Sequence, residues 1–508
     1  MVERLCARLQ DDSALPVEVV ETHISWLLLT PTTAYKLKKP VVLPFLDFST
    51  LAARRHFCEE ELRLNRRFAR ALYLGVSRIT GTPEAPHIDG DGATIDYAVR
   101  MRRFAPGSLL AEHAAAGTLV GSDIDRLALR LARFHAAAPR AAPAGDFGSP
   151  ARRAAAALAA CDAVAALLPA RAEEWALLRD WLVHQAAVLT APWARRQAAA
   201  CVRECHGDLH LANLLLLDDE PTAFDAVEFE PALRWIDIAD DAAFVAMDLL
   251  AHRRRDLAFR FINAWLDATG DHAGLPLWRF ALVYRALVRA QVGLIRERQG
   301  AMPCTPAPLA YCELAAQLGA ERIAPRLLLM HGLPGAGKSS VALQLAEAAG
   351  AVRLRSDVER KRLHGLQALD DSRDPALYSA EATRRTYERL AELARDSLAA
   401  GFPTIVDAAF LRRDERRRFA ELADEMKLPW HVLHCEAEPA VLAERISARL
   451  ARGDDPSQAD LQVLQTLRAA SETLAEHERM QTMSVDTAGA VDVEALARWW
   501  CPPEHALP

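Results

Sequence analysis

Two stretches of the chain combine residue types and spacing suited to work on phosphate. GLPGAGKSS, at 332–340, sets Gly332, Gly337, Lys338 and Ser339 in a Gly-x4-Gly-Lys-Ser array, with Gly335 inside it and Ser340 directly after it. In such an array glycines let backbone N–H groups surround a β-phosphate. The lysine bridges the β- and γ-phosphates, and the serine hydroxyl ligates magnesium. HGDLHLAN, at 206–213, gathers His206, Asp208 and Asn213 into a second known way of handling nucleotide phosphates. The two arrays use unrelated backbones, so one chain is expected to hold two phosphate sites.

A chain of 508 residues is too long for one ordinary core, and two or three domains are expected to carry these arrays. Hydrophobic residues make up 51% and charged residues 25%, and no apolar run approaches the length of a membrane helix. MVERLCARLQDDSALP has acidic residues and no apolar core, so no signal peptide is read and a cytoplasmic location is expected. Nine scattered cysteines argue against a disulfide framework, and Cys201-x3-Cys205-His206 lacks the second ligand pair of a metal site. A net charge of -7 disfavours bulk nucleic-acid binding, although Arg412, Arg413, Arg416, Arg417 and Arg418 form a local basic cluster able to meet phosphate.

The first 120 or so residues read as a small sheet with one helix. HISWLLLT (23–30) and AYKLKKPV (34–41) form a hairpin through PTT, a helix-periodic run follows over 50–70, and TIDYAVRMRRF (94–104) is a further strand. From 121 to 200, and again from 238 to 298, apolar residues recur at helical spacing and predict a packed helical lobe. QGAMPCTPAP (299–308) breaks this pattern, and a domain boundary is expected near 322. Beyond it, RLLLMHG, TIVDAAF (404–410) and WHVLHCE (430–436) alternate with helices, which predicts a parallel α/β sheet.

Gly332-x4-Gly337-Lys338-Ser339 lies between the predicted strand and helix that a P-loop requires, so this half is read as a P-loop NTPase. Asp357, just past the expected second strand and beside Arg360, suits a base for an acceptor hydroxyl. Asp407 ends TIVD where a carboxylate would hold magnesium through water. Arg445, Arg449 and Arg452 fall on one helix face, as a lid over a transferring phosphoryl group or as a solvated face. Over roughly 325–490 this half resembles the small P-loop kinases grouped with gluconate, shikimate and polynucleotide 5'-kinases. The resemblance rests on GLPGAGKSS, RSDVERKRL, IVDAAFLRRDERRRF, and ERISARL followed by Ser457 and Asp460. Asp407-Ala408-Ala409 departs from relatives that carry a hydroxyl or amide residue there, which leaves the substrate class open.

His206-x-Asp208-x4-Asn213 has the spacing of the eukaryotic-kinase catalytic loop, in which the Asp accepts the hydroxyl proton and the Asn ligates magnesium. HGDLHLAN resembles the aminoglycoside phosphotransferase superfamily, over roughly 15–300, which implies an α+β protein-kinase-like fold with a small N-lobe sheet and a helical C-lobe. The resemblance implies Asp225 of TAFDAVEF as a second metal carboxylate, with Glu228 assisting or competing. Asp237 and Asp241 match acidic residues that support the catalytic loop. Lys36 or Lys38 would pair the α- and β-phosphates with Glu61 as ion-pair partner, and Lys38 aligns better with the family's strand. No G-x-G-x-x-G precedes these lysines, so HISWLLLTPTT covers the phosphates by another geometry or this lobe binds ATP weakly.

The whole chain resembles bacterial fusions of an aminoglycoside phosphotransferase-like domain (1–322) with a P-loop kinase domain (323–508). That implies a bifunctional, ATP- and Mg2+-dependent phosphotransferase acting on hydroxyls of small molecules. A regulated single kinase and a 5'-hydroxyl polynucleotide kinase are the alternatives.

Overall fold

The structure is a computed structural model that describes residues 1–13, 15–43, 46–300, 305–321, 324–370, 374–452, 456–457 and 459–502. By compactness the chain forms two units, Met1–Asp248 with Tyr284–Cys312, and Leu249–Val283 with Glu313–Pro508. Residues 322 and 323, where the break is expected, lie outside the described residues. Leu249–Val283, read from sequence as part of the helical lobe, packs in the unit that carries the P-loop.

The first unit contains a six-stranded antiparallel sheet in the order Glu18–Glu21, Ser25–Leu29, Thr33–Lys38, Thr94–Arg102, Tyr73–Thr82, Ala85–Ile88. The hairpin expected through PTT is present, with Leu29 opposite Ala34. Three strands of this sheet, and the helix Val2–Ser13, were not anticipated in the sequence. Helix Leu51–Asn65 starts at Thr50, whose hydroxyl accepts the Ala53 N–H at 3.1 Å, a cap that satisfies one of the helix's orphan donors. Its Cys58 joins Leu72, Tyr73, Val99 and Met101 in a core that Leu215 and Leu217 complete from the hairpin Leu214–Leu217/Glu220–Ala223. Leu5, Leu28, Leu37 and Ile79 form a second apolar cluster. Helices Gly121–Ala137, Pro150–Leu167 and Ala172–Ala198 fall in the helical stretch expected over 121–200, and Ile238–Ala251, Arg255–Thr269 and Leu275–Arg298 in that expected over 238–298. No single described helix is long and apolar enough to cross a membrane.

The second unit is built on five parallel strands in the order Val352–Arg355, Thr404–Asp407, Leu327–His331, Trp430–Glu436, Thr482–Asp486. The central strand, Leu327–His331, is buried along its whole length, as a continuous apolar run in a two-sided parallel sheet should be. Leu328, Met330, Leu345, Ile405, Leu433 and Trp500 belong to one core. Parallel strands all end at one edge of the sheet, so the residues after His331, Arg355 and Asp407 meet there.

Candidate functional site

The P-loop follows the central strand and turns into helix Lys338–Ala349. Gly335 has φ +81°, and a Cβ there would lie 2.7 Å from the Leu442 carbonyl oxygen, so only glycine fits. Thr487 closes the loop from the side, its hydroxyl donating to the Ala336 carbonyl at 3.1 Å. Lys338 is drawn back across the loop, with Nζ donating to the Leu333 carbonyl at 2.9 Å. Burial lowers its pKa against the opposing pull of the Asp407 charge.

Ser339 Oγ donates to Asp407 Oδ1 at 3.2 Å, bringing together the two residues expected to share a magnesium ion. The second Asp407 oxygen is buried and has no hydrogen-bond partner. An orphaned carboxylate oxygen beside a serine hydroxyl fits a magnesium ion with its water shell, since hard cations take oxygen donors. Lys338, Ser339, Ser340, Asp357, Asp407, Arg445 and Arg449 all line one cavity of about 1310 Å³.

The arginines divide by their partners. Arg445 donates to Thr487 Oγ1 at 2.9 Å and to the Thr487 carbonyl at 2.6 Å, so it braces the loop's flank. Arg449 spends one nitrogen on the Ala459 carbonyl at 2.8 Å while its Nε is buried without a partner. The side chain of Arg452 lies outside the described residues. Arg412, Arg417 and Arg418 line the cavity, but Arg413 and Arg416 do not. Contrary to the sequence reading, Arg416 is fully buried and bonded to Glu478 at 2.8 Å, so it cannot meet phosphate.

Sequence reasoning missed a histidine pair below the loop. His331, the residue before Gly332, sits on the strand next to that of His434, with the two Nδ1 atoms 2.7 Å apart. Burial, together with the His434, Arg416 and Lys338 charges, pushes His331 down to about 3.

In the first unit, strand alternation puts Lys36 and Lys38 on one face, and both reach Glu61 of the helix Leu51–Asn65. Lys36 Nζ is 3.0 Å from Glu61 Oε1 and 2.5 Å from Asp225 Oδ1. Lys38 is fully buried, 2.8 Å from Glu61 Oε2, and is also paired to Glu228. Burial acts to raise the Glu61 carboxyl, but the two lysines outweigh it and bring it to about 2. Lys36, rather than the Lys38 preferred from sequence, therefore stands beside the partly exposed Asp225, and Glu228 is tied to Lys38.

Asn213 Nδ2 donates to Asp208 Oδ2 at 3.1 Å, and His210 Nε2 lies 3.3 Å from the same oxygen. Burial would raise Asp208, yet His210, Arg289 and His206 hold it well below the usual carboxylate range. Asp241 accepts the backbone N–H of His206 at 3.1 Å and of Gly207 at 2.9 Å, the loop-supporting part expected of it. Asp237 is instead bonded to Arg196 at 2.7 Å through both oxygens. Asp248, not anticipated, accepts the Leu211 N–H at 2.7 Å and the Tyr311 hydroxyl at 2.5 Å. Asp225 has φ +63°, and its N–H donates to the Tyr73 hydroxyl at 3.1 Å, which pins the strained residue in place.

A family model described as an AAA domain matches residues 327–474. Among solved structures, a putative kinase from Chloroflexus aurantiacus is 24% identical over 35% of this chain and 96% of its own, with a TM-score of 0.29. A gluconokinase from Sinorhizobium meliloti is 22% identical over 35% of this chain and 90% of its own, with a TM-score of 0.25. The uncharacterized protein Rv2004c of Mycobacterium tuberculosis is 33% identical over 450 residues, 86% of this chain and 87% of its own. The uncharacterized protein Mb2027c of Mycobacterium bovis matches to the same extent, 33% identical over 450 residues. At that identity over most of both chains, this protein belongs to the family of Rv2004c and its mycobacterial counterparts.

Proposed function

We propose that the second unit is an ATP- and magnesium-dependent kinase that phosphorylates a hydroxyl of a small molecule. The observation that carries this reading is the Ser339–Asp407 contact, with its orphaned carboxylate oxygen, in one cavity with Lys338 and Asp357. Gly332, Gly335 and Gly337 free the backbone to wrap the phosphates, and Lys338 swings from the Leu333 carbonyl to the β- and γ-phosphates. Ser339 and Asp407 would hold Mg2+, which when bound draws charge from the γ-phosphate. Asp357 accepts the proton of the acceptor hydroxyl as its oxygen bonds to the γ-phosphorus and the bond to the leaving oxygen of ADP breaks. Arg449 supplies charge to the transferring group, while Arg445 holds the loop.

We further propose that the first unit is a second, protein-kinase-like phosphotransferase of the aminoglycoside phosphotransferase type, which would make the protein bifunctional. The convergence of Lys36, Glu61 and Asp225, and of Asp208 with Asn213, favours it. Lys36 would contact the α- and β-phosphates, Asp208 would act as base, and Asn213 and Asp225 would hold the metal. We place the protein in the cytoplasm, with small molecules rather than nucleic acid as its acceptors.

Transfer of labelled γ-phosphate from ATP into a bacterial metabolite extract tests both readings, comparing the full chain with Lys338→Ala and Asp208→Ala. Each variant is expected to lose a different labelled product. Labelling that survives Lys338→Ala unchanged would end the P-loop kinase reading, and labelling indifferent to Asp208→Ala would leave the first unit as a binding or regulatory module.

A further inference from the structure

The peptide between Ala336 and Gly337 is trans, so its carbonyl and its N–H point to opposite sides. With glycine in second place, at φ +75°, no Cβ bars the peptide plane from turning over, since glycine takes positive and negative φ about equally well. Something outside the loop must choose which side faces the nucleotide. Gly337 lines the cavity, whereas neither Ala336 nor Thr487 does. The Ala336 carbonyl is turned to Thr487, whose hydroxyl is its one donor among the described residues. The Gly337 N–H, on the other side of the same peptide, has no acceptor among the described residues, as suits an N–H that serves a bound phosphate.

Thr487 is itself held firmly. Its N–H donates to the Glu436 carbonyl at 2.9 Å, which continues the pairing of Thr482–Asp486 with Trp430–Glu436 by one residue. Arg445 donates to its hydroxyl oxygen at 2.9 Å and to its carbonyl at 2.6 Å. The single hydroxyl hydrogen must point away from that donor, toward the carbonyls of Ala336 at 3.1 Å and Glu436 at 3.2 Å. The Glu436 carbonyl already receives the Thr487 N–H, while Ala336 is buried and would otherwise keep a carbonyl without a donor.

We propose that Thr487 is a positioning residue of the P-loop site: its hydroxyl, oriented by Arg445, latches the peptide with the Ala336 carbonyl outward and the Gly337 N–H toward the phosphates of the nucleotide. This rests on the P-loop kinase reading above. Without the hydroxyl, the buried carbonyl regains a partner by turning over toward the cavity, which swings the N–H away and sets an oxygen against the phosphates. A residue about 150 positions beyond the loop thereby decides whether the loop presents a donor or an acceptor.

The test is equilibrium binding of ADP and of inorganic tripolyphosphate to the full chain, well below its Tm, counting only the binding that Lys338→Ala removes. Thr487→Val keeps the side chain's shape and both backbone contacts. It is expected to bind both ligands about tenfold more weakly, the scale of one lost hydrogen bond to a buried carbonyl. Thr487→Ser is expected to bind both nearly as wild type does. The proposal is overturned if Thr487→Val binds both at wild-type affinity, whatever its Tm, or if Thr487→Ser is as weak as Thr487→Val. It is equally overturned if ADP is weakened and tripolyphosphate is not, which would place the effect on the nucleoside instead of the loop. Wild-type protein with no Lys338-dependent binding of either ligand would end the kinase reading, and this proposal with it.

Discussion

Lys36 Nζ lies 2.5 Å from Asp225 Oδ1, whereas Lys38, two residues along the same strand, is sealed between Glu61 and Glu228. Under the phosphotransferase reading proposed for the first unit, the pair would divide one task that a single lysine would otherwise carry. On that reading Lys36 would exchange Asp225 for phosphate, the Asp225 side chain being 42% exposed. Lys38, with nothing of its side chain exposed, keeps Glu61 oriented.

Lys36→Ala is therefore expected to weaken Mg-ATP binding to the first unit while leaving Tm nearly unchanged. Lys38→Ala leaves the buried Glu61 and Glu228 short of a partner and should destabilise the fold by about 3–5 kcal/mol. Titration of a fluorescent ATP analogue in a Lys338→Ala background, alongside thermal unfolding, separates the two. Equal losses of stability in both variants would refute the division.

Gly335→Ala forces a Cβ toward the Leu442 carbonyl at a positive φ, a strain of order 1–3 kcal/mol in the loop. Nucleotide binding by the second unit should be lost while the sheet stays folded. Circular dichroism together with Lys338-dependent transfer checks this, and retained transfer would show that the loop tolerates a methyl group.

The histidine pair makes the second unit acid-sensitive. The folded state keeps His331 neutral down to about 3, whereas the unfolded chain protonates it at its ordinary value of 6.5. Stability is intact above that ordinary value and should fall by about 1.4 kcal/mol per pH unit as pH drops from it toward 3. Chemical unfolding of wild type and His331→Leu across this range measures it, and parallel pH curves for the two would exclude His331 as the source.

The P-loop was legible in the sequence because its chemistry is contiguous, with strand, glycines, lysine and serine all inside one short run. Asp407 was legible because it directly follows the apolar pair Ile405 and Val406 at the end of a short buried strand. The choice between Lys36 and Lys38 was not legible, since both occupy one face of a strand and their partners, Asp225 and Glu228, lie far along the chain. Strand Tyr73–Thr82 escaped because register shifts near Gly75 and Thr80 break the alternation by which a strand is recognised. Strand Thr482–Asp486 lies at a sheet edge with none of its residues fully buried, so it shows no apolar run. Arg416 looked like its neighbours in a basic run, and only Glu478, across the fold, takes it inside. Helix Arg255–Thr269 reads as any apolar-periodic helix, and nothing local says which sheet it serves.

The two compact units are interleaved in the chain, since Leu249–Val283 goes to one and Tyr284–Cys312 returns to the other. During synthesis, helix Arg255–Thr269 leaves the ribosome before strand Val352–Arg355, whose Arg353 N–H its Asn263 accepts, has been translated. The first unit must likewise wait for Tyr311, the partner of Asp248, before its loop is fully held. Growth of the chain at about 5–20 residues per second thus leaves this helix without that strand for several seconds. No single cut frees either unit whole, so the nascent chain between these points is where a chaperone would be needed.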